Sequence, residues 1–316
     1  STRYLFFYFL SHIIVTPTNQ RGRTAMPDWT NIIYLYDGSF DGFLCCVFES
    51  YATHEIPDDI IPDHLFVQEV LWGTRQIETD GGHAERVLHK LNDILGKNGL
   101  RLIRCAFLYG LPGKEKALLR FIRFSLVHGK AALNMLGRKE TAAVYDMEKA
   151  VLNEAHLLKG FLRFSDYHGA LLGTIQPKHY VLPLLKRHFA ERYPEEYFII
   201  FDQSHKMALL YRPYTSRIIL VDSFEPPSET SCPERQFRRL WQEYYDAIAI
   251  KQRKNPRCRM THMPKRFWAC MTEFQEKETE TAPLLTIPSS FPKLSDKKPL
   301  ISSNRFIIYV VKFVPT

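Results

Sequence analysis

The sequence predicts an α+β fold, a mainly helical N-terminal half packed against an antiparallel β-sheet with helices. Three observations lead there. Apolar residues recur at helical spacing from residue 40 to about residue 158. At Gly160 the pattern changes to short β-type runs joined by polar turns, and one clean amphipathic helix then runs from Pro233 to about Lys251. The 316 residues are 45% hydrophobic and 24% charged, enough to bury a core, and at about 150 residues per domain they suggest two domains.

Taken in order, Ile32 to Tyr36 reads as a short strand stopped by Asp37-Gly38. Ser39 then caps a helix with apolar residues at 40, 43, 44, 47, 48 and 51. Pro57 to Pro62 reads as a punctuated connection. Ala84, Val87, Leu88, Leu91, Ile94 and Leu95 form a second helical stripe that ends near Gly96 and Gly99, and further helices are expected at about 101–110, 114–128 and 141–158. Beyond Gly160, Phe161 to Ser165 and Ala170 to Ile175 suggest a hairpin around Asp166-Tyr-His-Gly169. Pro183 suits the first turn of a helix carrying Leu184, Leu185, Phe189 and Tyr193. Tyr197 to Phe201, Met207 to Tyr211 and Ile218 to Val221 continue as strands. In the final helix Phe237, Leu240, Trp241, Tyr244, Tyr245 and Ile248 share one face, opposite Arg235, Arg238, Arg239, Glu243 and Asp246. No internal repeat is visible.

The ends differ from the middle. Tyr4 to Val15 is an aromatic-rich apolar run of signal-peptide size behind Arg3, but with poor flanks, so translated sequence upstream of a start at Met26 is the preferred reading. The organisation expected is an extraneous or disordered extension at 1–27, a helical half at 28–158, an α+β half at 159–274, and a tail at 275–316. Neither Tyr4–Val15 nor Phe306–Val314 reaches the roughly 18–20 apolar residues of a membrane-spanning helix. Cysteines at 45, 46, 105, 232, 258 and 270 include no Cys-x-x-Cys pair and lack the density of a disulfide scaffold, which points to a reducing cytoplasm.

The 42 Lys and Arg against 34 Asp and Glu give a net charge of +8, and most of the excess is local. Between Glu234 and Phe274 lie ten basic and four acidic residues. Lys251 to Trp268 holds Lys251, Arg253, Lys254, Arg257, Arg259, Lys265 and Arg266, no acid, two prolines, and the aromatics Phe267 and Trp268. Cations neutralise phosphates and release counterions, while an adjacent aromatic can stack on an exposed base. Arg253, Lys254, Arg257, Arg259, Lys265, Arg266 and Trp268 are therefore the candidate nucleic-acid contacts, against the alternative of a solvated loop that Phe267 and Trp268 anchor.

Other chemistry is sparser. Asp37 and Asp41 flank a strand-to-helix turn where two carboxylates can divide acid and base roles, although aspartate also favours turns for its own hydrogen bonds. His156 near a helix end and Arg163 on a strand beside Phe164 are further residues to test, with an internal ion pair or a solvated side chain as the alternative for Arg163. Cys258 with His262, or His179 with His188, supply two ligands each and no complete zinc set, so neither metal nor cofactor is expected. Gly110-Leu-Pro-Gly-Lys-Glu115 is too short between its glycines for a phosphate loop. No Gly-x-Ser-x-Gly elbow and no dinucleotide fingerprint occurs.

Four ordered stretches carry a resemblance: Tyr34–Tyr51, Glu154-Ala-His-Leu-Leu-Lys-Gly-Phe-Leu-Arg-Phe164, Pro177-Lys-His-Tyr-Val-Leu-Pro183 with His188-Phe189, and Asn255–Trp268. With these the chain resembles a bacterial family described as DNA metabolism or DNA repair proteins, whose conserved domain has no assigned function. The resemblance covers nearly all of 28–274. It implies work beside a radical-SAM DNA modification or repair protein, and similar domains occur fused to uracil-DNA glycosylases. It assigns no catalytic residue. Three readings follow: a DNA-binding accessory protein, an enzyme acting on a damaged or flipped base through Asp37, Asp41, His156 and Arg163, or a protein-interaction scaffold using the 234–251 helix.

Overall fold

The computed structural model describes residues 29–66, 73–167, 169–221, 224, 232–253 and 255–275. The expectations for the N-terminal extension, for the tail beyond residue 275 and for Lys254 lie outside the described residues. The chain divides into two compact units, one up to Val151 and one from Leu152, so the boundary falls inside a helix rather than at its end.

In the first unit β1 (Trp29–Tyr36) buries Ile33, Tyr34 and Tyr36. Asp37 ends it by accepting hydrogen bonds from the main-chain N–H of Ser39 at 2.8 Å and from its Oγ at 3.0 Å. Ser39 Oγ in turn accepts from Gly42 N at 2.9 Å and opens α1 (Phe40–Ala52). A Cβ on Gly42 would lie 2.2 Å from Asp37 Oδ1, so this turn requires glycine. The helix returns the chain to β2 (Ile56–Pro62), parallel to β1, and β3 (Gly73–Gln76) pairs parallel on the other side, giving the order β2-β1-β3.

Two of these strands depart from the sequence expectation of a helical half with a single strand. Pro57 and Pro62 read as breakers, yet β2 is an edge strand, where a missing N–H leaves no pairing unmet. Gly73-Thr-Arg-Gln76 has no apolar alternation to betray it, because it joins through its main chain at the opposite edge.

Asp80 then caps α2 (Gly81–Phe107), its carboxylate accepting from His83 N at 2.7 Å. The helix is broken at Gly96, whose φ of 69° is left-handed, so the two helices read from the sequence meet across a glycine kink. Gly113, at φ 83°, forms the turn before α3 (Lys114–His128), where the sequence only superficially resembled a phosphate loop. α4 (Lys139–Phe161) follows. Tyr36, Phe43, Leu91, Leu95, Ile103 and Phe121 are at the centre of this unit's core. Cys45, Cys46, Cys105 and Cys270 are buried free thiols, and burial pushes Cys105 and Cys270 up to about 11, so they stay protonated.

Tyr36 donates its phenolic hydrogen to Glu115 Oε1 at 2.9 Å, and both side chains are buried. Burial outweighs the nearby Lys114 ammonium and the Tyr36 hydrogen bond, and raises the Glu115 carboxyl above its ordinary value. A carboxyl raised in the folded state gives its full stability below the unfolded pKa and loses it as pH rises through the folded one. Glu115→Gln keeps an acceptor for Tyr36 and removes the charge. We therefore expect this variant to gain on the wild type in melting temperature as pH rises above 5 and to match it at pH 3 to 4. Parallel melting curves at all pH values would show that the carboxyl titrates normally.

In the second unit Phe161 is the last helical residue of α4, so the strand expected at Phe161–Ser165 is not formed. β4 is only Ser165–Tyr167 and pairs antiparallel with β5 (Ala170–Ile175) across Gly169, whose φ is 91°. α5 (Leu182–Arg192), with Pro183 in its first turn, carries the chain back to β6 (Tyr197–Asp202). β7 (Met207–Arg212) and β8 (Thr215–Leu220) complete the sheet in the order β4-β5-β6-β7-β8. The α+β class holds, and three of the four pairings are antiparallel as expected. The fourth, β5 with β6, is parallel because α5 is a crossover. Phe198, Ile200, Leu209 and Tyr211 face a core shared with Leu182, Leu185, Phe189 and Phe267, while Ile199, Phe201 and Ala208 face a smaller cluster with Tyr167 and Val221.

Candidate nucleic-acid interface

α6 (Cys232–Ile248) is amphipathic as the sequence indicates, but it meets the unit through Arg238, Gln242 and Tyr245 and leaves most of its apolar residues outside. Gln242 is buried and donates to the main-chain oxygen of Thr272 at 2.9 Å, Tyr245 meets Phe274 edge-on, and Arg238 pairs with Glu234 at 2.9 Å. Phe237, Leu240, Trp241, Tyr244 and Ile248 are all exposed, Phe237 and Tyr244 at 55%. An apolar stripe of this kind ordinarily covers a core; here Trp241 donates to Glu273 at 3.1 Å and the others are left to solvent.

The basic segment is built on two prolines and an aromatic anchor. Asn255 caps α7 (Pro256–His262), its side chain accepting from Cys258 N at 3.0 Å, and Pro256 takes the first helical position. After Pro264 a 3₁₀ turn runs Lys265–Cys270 and drives Phe267 into the core, where it is 2% exposed. Trp268 stacks on Phe274 with ring centroids 4.5 Å apart, and its indole N–H donates to Met263 O at 3.0 Å. Arg259 lies over both rings, at 5.1 and 5.3 Å. Trp268 and Arg259 thus fasten the segment to its own unit, and Trp268 is not the exposed stacking platform that the sequence suggested. Arg253, Arg257 and Lys265 are exposed.

Arg266 turns back from this segment to a buried acid. Its Nη1 donates to Glu154 Oε1 at 2.6 Å, and Glu154, 1% exposed on α4, also accepts from Lys178 N at 3.1 Å and His179 N at 2.8 Å. Lys178 and His179 lie in the turn after β5. At the adjacent end of β6, Asp202 is wholly buried and accepts from Ser204 N at 3.0 Å and His205 N at 3.1 Å. Its Oδ2 lies 2.7 Å from His205 Nδ1. Gln203 N donates to Ile175 O at 3.0 Å, and the side chains of Gln176 and Gln203 are hydrogen-bonded, so the two turns are tied together. Tyr180 meets His205 edge-on with centroids 5.8 Å apart. Burial, and then the Asp202 carboxylate, push the Tyr180 phenol up to about 12, so it remains a neutral donor.

Of the residues proposed for acid–base chemistry, Asp37 and Arg163 have other duties. Asp37 accepts from Ser39 and, at 2.9 Å, from Thr79 Oγ1. Partial burial acts to raise its carboxyl, but these hydrogen bonds outweigh it and hold the carboxyl below its ordinary value, which suits a turn acceptor rather than a proton donor. Asp41 is exposed in the first turn of α1, and His156 is exposed on α4. Arg163 is not on a strand. It follows α4 and pairs with Glu273 at 3.0 Å, the internal ion pair weighed against a ligand role. Among the described residues no hydrogen bond or ion pair joins Asp37 to Asp41 or His156 to Arg163, and no three His, Cys, Asp or Glu side chains gather as a metal site.

Three of the four stretches that carry the family resemblance converge at the ends of β5 and β6 through Glu154, Lys178-His179-Tyr180 and Arg266. Asp202 and His205 join them without having been singled out by sequence; the only trace was an Asp-x-x-His at the end of an apolar strand. The chain matches the model of a family described as a domain of unknown function, DUF4130, over residues 112–273. It belongs to that family. The DUF4130 match contains the basic segment, the Glu154–Arg266 pair and the Asp202–His205 pair, and leaves out Asp37 and Asp41. No curated protein matches the chain. Among the described residues no helix is long and apolar enough to cross a membrane.

Proposed function

We propose that this DUF4130 protein is a DNA-binding accessory protein of DNA metabolism, and that Arg253, Arg257 and Lys265 hold phosphates of the DNA backbone. The observation that carries the reading is an acid-free run of cations, anchored at its end by Phe267 and Trp268, in which Arg253, Arg257 and Lys265 are exposed. The resemblance adds a radical-SAM DNA modification or repair protein as the partner. The exposed apolar stripe of α6 favours a protein contact of that kind as a second reading, in which the chain is a scaffold.

The test is fluorescence anisotropy of the full chain with single-stranded, duplex and uracil-containing DNA across a salt series. Three duplex phosphates predict an affinity loss on the order of 40-fold between roughly 50 and 200 mM salt. Absence of binding at low salt would overturn the DNA reading and leave the scaffold.

A further inference from the structure

The ends of β5 and β6 gather groups that backbone contacts on the basic segment leave unused. Glu154 and Asp202 are both buried and both turned inward: one carboxylate holds Lys178 N, His179 N and Arg266, the other holds Ser204 N, His205 N and the His205 ring. The side chains left toward solvent are cations and donors. Lys178 is exposed, the Arg266 side chain is 36% exposed, and the His205 side chain is 27% exposed. Because Asp202 occupies Nδ1 of His205, the imidazole presents Nε2 on the side away from the carboxylate. The neutral Tyr180 phenol lies beside it.

Buried His179, whose main-chain N–H donates to Glu154, lies beside these groups. Burial lowers its imidazole pKa first; Glu154 opposes this, and Arg266, Lys178 and His205 each push it lower. Cations and donors beside carboxylates that are already engaged suit an anion with several oxygens. Three separate segments supply the donors: the turn after β5, the turn after β6, and the 3₁₀ turn of the basic segment. Donors from three segments tied together through Glu154 and the Tyr180–His205 contact fit one compact phosphate better than an extended backbone.

We propose that Lys178, Tyr180, His205 and Arg266 form a binding site for a phosphate monoester, supplied by the phosphorylated end of a nucleic-acid strand. The strand as its source rests on the DNA reading above, whereas the phosphate chemistry stands without it.

The experiment titrates inorganic phosphate into the ¹⁵N-labelled full chain while the His205 imidazole and Lys178 signals are followed. Binding to oligonucleotides with a 5′-phosphate, a 3′-phosphate or neither, and to a deoxynucleoside monophosphate, is measured alongside. Saturable shifts at His205 and Lys178 are expected, weakened about tenfold in His205→Asn and in Lys178→Met, since each removes one charge-assisted contact. One phosphorylated oligonucleotide is expected to bind more tightly than its unphosphorylated twin, with the difference lost in both variants. Lys178 meets Glu154 through its main chain, so Lys178→Met keeps that contact and decides the matter if His205→Asn fails to fold. An unmoved His205 signal at saturating phosphate overturns the site. Phosphate binding with no oligonucleotide preference overturns the strand end and supports a free nucleotide as the source. Phosphate binding without any DNA binding keeps the site and removes the DNA reading.

Discussion

Glu154→Ala is expected to cost about 3 kcal/mol of stability. The carboxylate is 1% exposed and is the acceptor for two main-chain N–H groups and for Arg266, so its removal strands three donors at once. Losing one partner of a buried ion pair costs about 3–5 kcal/mol, and the lower end applies because the Arg266 side chain is 36% exposed and can rehydrate in part. Glu154→Gln keeps one acceptor oxygen and should lose less. Urea denaturation of the three proteins measures the ranking, with Arg266→Met added to close a cycle with Glu154→Ala. A loss below about 1 kcal/mol for the alanine variant would mean that the turn after β5 is held by other contacts. The same variant should also loosen the basic segment at Arg266, its ion-pair link to α4, while Phe267 and Trp268 still hold it.

How much of this was legible depends on whether each feature is local. α1, α3 and α5 followed from apolar spacing with Ser39, Gly113 and Pro183 at their starts, because a helix closes its own hydrogen bonds and its signals lie within a few residues. β2 and β3 were not legible, since a proline-flanked edge and a polar edge strand owe their state to β1. Arg163 was misplaced because α4 runs to Phe161, past the point where Gly160 suggested a stop, and its partner Glu273 is remote in sequence. The basic segment was visible as composition, but which of its members remain exposed was not. Arg259 over Trp268 and Arg266 on Glu154 are tertiary facts that a run of cations cannot disclose. The Asp202–His205 pair was hidden for a different reason, as each residue reads as an ordinary turn former until the parallel pairing of β5 and β6 brings two turns together.

Arg253→Glu, Arg257→Glu and Lys265→Glu together are expected to weaken DNA binding on the order of 100-fold or more at about 0.1 M salt, alike for every sequence. Each cation that neutralises a duplex phosphate contributes about 0.9 to the slope of log affinity against log salt, so the variant should lose about 2.7 of that slope. The three residues were chosen because they are exposed, which lets their charge be reversed without touching the core. Arg266 is left intact for the opposite reason. A glutamate there would lie beside the buried Glu154 carboxylate and disturb the segment, making any loss of binding uninformative. Equal melting temperatures for the variant and the wild type are the control. An affinity within about threefold of the wild type, with the salt slope unchanged, would mean that these cations are a solvated face. DNA would then have to be held elsewhere or not at all, and the apolar stripe of α6 would become the surface that defines this protein's partner.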